Sequence, residues 1–116
     1  MSITRIEPGV RFCKAVVHGD TVYVAGQTAK KTAGGSVTEQ TKEILATIDE
    51  ALAQAGSDKT KILMTNIWLT DISKFAEMNA VWDAWVAKDS MPARATVEAK
   101  LAAPNLNVEI AVIAAK

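Results

Sequence analysis

Met91 to Ala115 reads MPARATVEAKLAAPNLNVEIAVIAA, and this closing stretch decides how the rest of the chain is arranged. It has the pattern of two strands joined by a Pro/Asn turn. Arg94 opens the first strand and Glu109 sits early in the second. An Arg presents a planar fork of donors that matches a carboxylate and stays charged at any physiological pH. A Glu on the same kind of surface holds or deprotonates a water. The pair points to a pocket for a small carboxylic acid with a water-handling group at its far end. Folded as an antiparallel hairpin of Arg94–Leu101 and Asn107–Ala114, the stretch sets Leu101 against Val108 and Glu109 against Lys100. Arg94 then lies roughly 20 Å from that pair at about 3.3 Å per residue. A small acid does not span that gap, so a shared site is expected to take Arg94 from one chain and Glu109 from its neighbour.

Working backwards, Pro92 marks where a preceding helix has already ended. That helix is expected to begin at a Ser73 cap and to carry Phe75, Met78, Val81, Trp82 and Trp85 along one stripe. Lys61–Leu69 reads as a buried strand. Ahead of it Ile44, Leu45, Ile48, Leu52 and Ala55 recur at helical spacing, with Lys42, Glu43, Asp49 and Glu50 opposite. Thr38 is the expected N-cap of this helix and Gly56 its stop. Lys30–Ser36, with Gly34-Gly35, reads as an exposed loop. Cys13–His18 and Thr21–Ala25 are β-rich runs flanking a two-residue Gly19-Asp20 turn, and Ser2–Glu7 is an edge strand. The order is β-β-β-α-β-α-β-β. Two amphipathic helices covering one sheet face make a two-layer α+β sandwich, a single domain over 1–116. The other sheet face is left to be covered by copies of the chain.

Composition excludes several classes. Thirteen basic and thirteen acidic residues leave the chain formally neutral, with no footprint for a nucleic acid. One cysteine, Cys13, excludes an intrachain disulfide or a cysteine metal cluster. No apolar run is long enough for a membrane helix, and MSITRIEPG is too polar for a secretory leader, so a cytoplasmic location is expected. His18 has no second ligand at a sensible spacing, so no metal is expected there.

Four stretches together resemble the Rid family, the reactive intermediate deaminases or YjgF-like proteins: VYVAGQ at Val22–Gln27, the helix from Gln40 to Gly56, TNIWLTDISKFAEMNAVWDAW at Thr65–Trp85, and PARATVEAKL with NVEIAVIAA at the end. The resemblance covers essentially the whole chain. The Ala76–Val86 run, with Arg11-Phe12 near the start, is most similar to the YoaB-like branch. It implies a chorismate-mutase-like fold and a homotrimer with sites at the subunit interfaces. It also implies cofactor-free hydrolysis of enamines and imines of short 2-oxo acids, such as 2-aminoacrylate or 2-iminopropionate, releasing ammonia. Other members have been described as endoribonucleases or translation inhibitors. Residue by residue, the resemblance implies substrate binding by Arg94, water activation by Glu109, and a ligand-facing backbone at Gly26. Asn79 matches an asparagine near the site. Phe12 stands where the family has a site tyrosine, and Thr96 where it has a cysteine two residues beyond the arginine.

Each residue also has a plainer role open to it. Arg94 at a strand start serves equally as an exposed cation, and Glu109 as an interfacial salt bridge with Lys100. Gly26 fits a strand-end kink. Cys13 fits a half-buried strand position, and Asn79 a helix-packing amide. Trp68, Trp82 and Trp85 fit core and interface packing, with Trp82 at the edge of a ligand pocket. Three activities remain: imine hydrolysis, a non-catalytic trimer that senses a small carboxylate, and, below both, RNA cleavage.

Overall fold

Val108, Ile110, Val112 and Ala114 are buried to within 2% of full burial, while Glu109, Ala111, Ile113 and Ala115 alternate with them on the opposite side. A strand with that pattern wants a neighbour on both edges and a helix layer over one face. The computed structural model, which describes residues 1–116, supplies both. Its elements are β1 (Ile3–Pro8), β2 (Cys13–His18), β3 (Thr21–Thr28), α1 (Val37–Gln54), β4 (Ile62–Leu69), α2 (Phe75–Trp85), β5 (Ala93–Glu98) and β6 (Val108–Ala115). They form one six-stranded sheet in the order β1-β2-β3-β6-β4-β5. Ile44, Leu45, Ile48 and Leu52 of α1 and Met78, Val81 and Trp82 of α2 join the inner sheet residues in one buried cluster. The α+β sandwich and its element order are as expected.

The β5–β6 hairpin does not form. β5 pairs in parallel with β4, setting Arg94 beside Thr65, and β6 is inserted antiparallel between β3 and β4. Glu109 therefore faces Thr28 and Trp68, and Lys100 lies outside every strand. Two physical reasons account for the difference. The β4-α2-β5 unit is a helical crossover, and such a connection returns the chain parallel to its first strand. The segment after β5 is then carried around the end of β4, where Ala99 N–H donates to Leu69 O (2.9 Å) and Thr70 N–H to Asn107 O (3.1 Å). Buried Gln40 holds that segment down. Its Nε2 donates to Gly35 O and Asn105 O, both at 3.1 Å, and its Oε1 accepts from Asn107 N–H at 2.9 Å.

Two helix starts also differ. Ser36, not Thr38, caps α1 in a reciprocal box with Glu39: Ser36 Oγ accepts from Glu39 N–H (3.1 Å), and Glu39 Oε1 accepts from Ser36 N–H (3.2 Å). Thr38 instead donates its N–H and hydroxyl to Glu77, at 2.9 and 3.0 Å. Ser73 does not cap α2, because its N–H and hydroxyl are both taken by Asp71, which caps the short 3-10 turn Ile72–Lys74 before the helix. Gly56 does end α1, in the left-handed region at φ 81°.

The second sheet face is uncovered. Strand register lines up Arg5, Val16, Tyr23, Ile113, Met64 and Ala93 in one row across all six strands. A parallel row nearer the other end holds Thr28, Glu109, Trp68 and Val97. Tyr23 is 46% exposed and Val97 51%. No helix is long and apolar enough to cross a membrane.

Candidate functional site

Arg94 shares a cross-strand row with Thr65 and Val112, which are buried against the helices. Its side chain therefore leaves the sheet on the helix-covered side. There α2 meets it with two rings: the guanidinium carbon lies 5.6 Å from the Phe75 centroid and 5.2 Å from that of Trp82. Contact with aromatic faces holds the cation without neutralising it. The sole ion pair of the chain is Lys14–Glu7 at 3.3 Å, and the cationic side chains engaged in hydrogen bonds are Lys14, Lys59 and Lys88. Arg94 is thus half-buried, oriented, and without an anion.

A cleft of about 280 Å³ opens beside it, lined by Asn79, Trp82, Asp83, Met91, Pro92 and Arg94. Four buried side-chain polar atoms in the protein have no hydrogen-bond partner, and three of them flank Arg94: Thr65 Oγ1, Thr96 Oγ1 and Asn79 Oδ1. Thr65 is its cross-strand neighbour, Thr96 lies two residues on along the same face of β5, and Asn79 lines the same cleft. Unpaired buried polar atoms are costly, and their clustering around an unpaired cation marks a place where a polar ligand completes the bonding.

Glu109 lies on the other side of the sheet. Its row contains Trp68 and Val97, and its neighbours in sequence, Val108 and Ile110, point into the core. From Arg94 it is three positions along and two strands across, about 10 Å in each direction. The salt bridge to Lys100 is not made, since the sole ion pair is elsewhere. The anion that approaches the Gly26 backbone is Glu109's own carboxylate: a Cβ built at Gly26 would overlap Glu109 Oε2 and stand 3.0 Å from its Cδ. Gly26 falls in a register shift of β3 against β6, between Val24 and Gln27.

Phe12 is 69% exposed on the turn after β1. With Gly26 it lines a larger cleft of about 650 Å³ that also holds Lys14, Lys30, Glu43 and Glu50. Glu43 anchors the rim of that cleft by accepting from the N–H groups of Lys30 (2.9 Å), Lys31 (3.2 Å) and Thr32 (2.8 Å). These bonds, that from Lys30 foremost, hold its carboxyl down at about 2 against an opposing effect of burial. The residues expected at one site thus fall apart: Arg94, Asn79 and Thr96 lie under α2, Glu109 and Gly26 meet at the far end of β3 and β6, and Phe12 lines the cleft beside α1, which Glu109 does not enter.

Within one chain the structure does not bring these groups together. What separates Arg94 and Glu109 of a single chain is their place on opposed sheet faces, not the expected hairpin register. Phe75, Asp83 and Thr65 were not legible as site residues. The four-residue spacing of Phe75, Asn79 and Asp83 on α2 is the signal that would have grouped them. No three His, Cys, Asp or Glu side chains converge anywhere as a metal-binding group.

Comparison with known proteins agrees with this architecture over the full length. The family model described as endoribonuclease L-PSP matches residues 2–116. A RutC family protein of Haemophilus influenzae is 46% identical over 114 residues, covering 98% of both chains. The RutC family protein YoaB of Escherichia coli is 41% identical, covering 99% of both. A crystal structure of a YjgF family member from Neisseria meningitidis superposes with a TM-score of 0.96 at 42% identity, covering all of this chain and 96% of that one. On these full-length matches and its sheet order, this chain belongs to the YjgF/RutC family, the group described by the endoribonuclease L-PSP model.

Proposed function

We propose that the protein hydrolyses imines of small 2-oxo acids to the 2-oxo acid and ammonia, in sites completed by a second copy of the chain. The observation that carries this reading is Arg94: a half-buried guanidinium, braced by two rings and facing a cleft, with no anion of its own. A planar carboxylate fits that fork through two parallel hydrogen bonds. Glu109 of a neighbouring chain takes a proton from water as the water oxygen bonds to the imine carbon. The C=N electron pair moves to nitrogen, which takes that proton back from Glu109. The carbinolamine's hydroxyl proton then passes through the same carboxylate to the amino nitrogen, the C–N bond breaks as the C=O bond forms, and ammonia leaves. Asn79 and Thr96 offer the polar atoms that orient the imine.

A homotrimer suits both halves of this reading. Three copies around an axis would cover the apolar row of Val16, Tyr23, Ile113 and Met64, and would turn the Glu109 face of one chain toward the Arg94 end of the next. Feeding the protein with imines made in place by an amino-acid oxidase, and timing ammonia release against the spontaneous rate, tests the activity. No acceleration across several imino acids refutes it.

The description of the matching family model favours RNA cleavage as a second reading. Against it stand the balanced charge and a single histidine, His18, exposed at the end of β2. Cleavage of single-stranded RNA that disappears in Arg94→Ala would support it, whereas undiminished cleavage in that variant marks a contaminant. Full imine turnover by Glu109→Gln would take the water-activating role away from Glu109, whereas binding of 2-oxo acids by the parent protein with no imine turnover would move the assignment from enzyme to sensor.

A further inference from the structure

The cleft beside Arg94 carries a second charge of opposite sign. Asp83 lines it, exposed at the outer end, and its carboxylate takes part in no ion pair. Only its main-chain carbonyl is engaged, accepting from Lys88 Nζ at 2.6 Å. Arg94 itself is out of ion-pairing reach, so Asp83 does not neutralise it. Phe75, Asn79 and Asp83 follow one another at four-residue intervals along α2, about 6 Å per step. A ligand whose carboxylate sits on Arg94 therefore passes the Asn79 amide, whose Oδ1 is buried and unpartnered, and then meets the Asp83 carboxylate. Beyond the guanidinium, the one charged group lining the cleft is that carboxylate. Trp82, Met91 and Pro92 supply apolar walls between them. A three-carbon imino acid would leave much of the roughly 280 Å³ unfilled.

We propose that this cleft selects 2-imino acids whose side chain ends in a positive charge, an ammonium or a guanidinium. The α-carboxylate rests on Arg94, the methylenes lie against Trp82 and Met91, and the terminal cation is held by Asp83. A side chain ending in a second carboxylate is repelled at the same point. The assignment rests on the imine-hydrolysis reading for its reaction, but the preference is measurable without turnover, because 2-oxo acids keep the carboxylate and side chain and do not hydrolyse; the cation in the test is a guanidinium, since an amine tip condenses with its own keto carbon.

Calorimetric titration of the intact oligomer with three 2-oxo acids tests it. One carries a guanidinium-tipped side chain, one an uncharged alkyl chain of equal length, and the third is 2-oxoglutarate. The guanidinium-tipped acid is expected to bind roughly two- to fivefold more tightly than the alkyl acid, as one exposed charge-assisted contact allows, with 2-oxoglutarate weakest. In Asp83→Asn the ratio of the first two affinities falls to near one, and in Asp83→Lys the order turns toward 2-oxoglutarate. Asp83 is exposed, so neither substitution disturbs the core. Equal affinities in the parent protein, or a preference that survives Asp83→Asn, overturns the assignment while leaving the Arg94 reading intact. Binding of all three acids unchanged in Arg94→Ala rejects the carboxylate clamp and this inference together.

Discussion

Replacing Gly26 by Ala isolates the contact on which the proposed water chemistry depends. Gly26 is not among the left-handed glycines, which are Gly19 (φ 60°), Gly34 (φ 84°) and Gly56 (φ 81°), so its backbone accepts a side chain. What it lacks is room. The added methyl overlaps Glu109 Oε2 and comes within 3.0 Å of Cδ and 3.2 Å of Cγ. The carboxylate has to swing aside, at a cost of about 1 kcal/mol for an off-rotamer side chain. Against this, Ala reduces the freedom of the unfolded chain and stabilises by about 0.4–1 kcal/mol. The two nearly cancel, so the melting temperature should shift by no more than about 4 °C in a domain of this size. Turnover should not be spared, because a displaced general base loses a factor on the order of 10² or more. In a Glu109→Ala background the overlap is gone, and Gly26→Ala should then stabilise, giving a coupling of about 1 kcal/mol between the two positions. Urea unfolding of the four proteins and the imine-hydrolysis assay on the parent and Gly26→Ala decide the matter. Full activity in Gly26→Ala, or the same stability change in both backgrounds, would refute the reasoning.

Two further outcomes are open to direct measurement. Arg94→Ala and Glu109→Ala chains, each inactive alone, should recover part of the activity when co-expressed, since mixed oligomers rebuild some sites from one intact half of each; no rescue in verified mixed oligomers counts against a shared site. Glu43 is an acid-stability element: its carboxyl is held at about 2 against an ordinary 4.5, so its contribution is complete above the ordinary value and is lost as pH falls toward 2. Glu43→Gln should therefore flatten the fall in urea midpoint between about pH 5 and pH 2, and an unchanged profile in the variant would show that the bonds to Lys30, Lys31 and Thr32 do not stabilise the fold.

Local chemistry determined most of the elements. Period-two and period-3.6 patterns located β2, β4 and both helices to within a residue or two, Gly19-Asp20 turned the first hairpin, and Gly56 stopped α1. The start of α1 was missed by two residues and that of α2 by one because Ser36, Thr38, Asp71 and Ser73 are all competent caps, and only the positions of Glu39, Glu77 and the Asp71 carboxylate decide which hydroxyl is used for what. Glu109 could be singled out because a Glu amid valines and isoleucines stands out in a strand, whereas Arg94, ordinary at a strand start, gained its weight from the resemblance to the Rid family. Their relation could not be read. Adjacent strands with a turn-like connection read as a hairpin, yet β4 outcompetes β5 for the edge of β6 because the α2 crossover has already paired β4 with β5 in parallel. Strand order is set by which apolar surfaces are buried together, a sum over residues far apart in the chain. Only that sum decided that Arg94 lies under α2 against Phe75 and Trp82, that Glu109 emerges on the uncovered face, and that Asp83 shares the arginine's cleft.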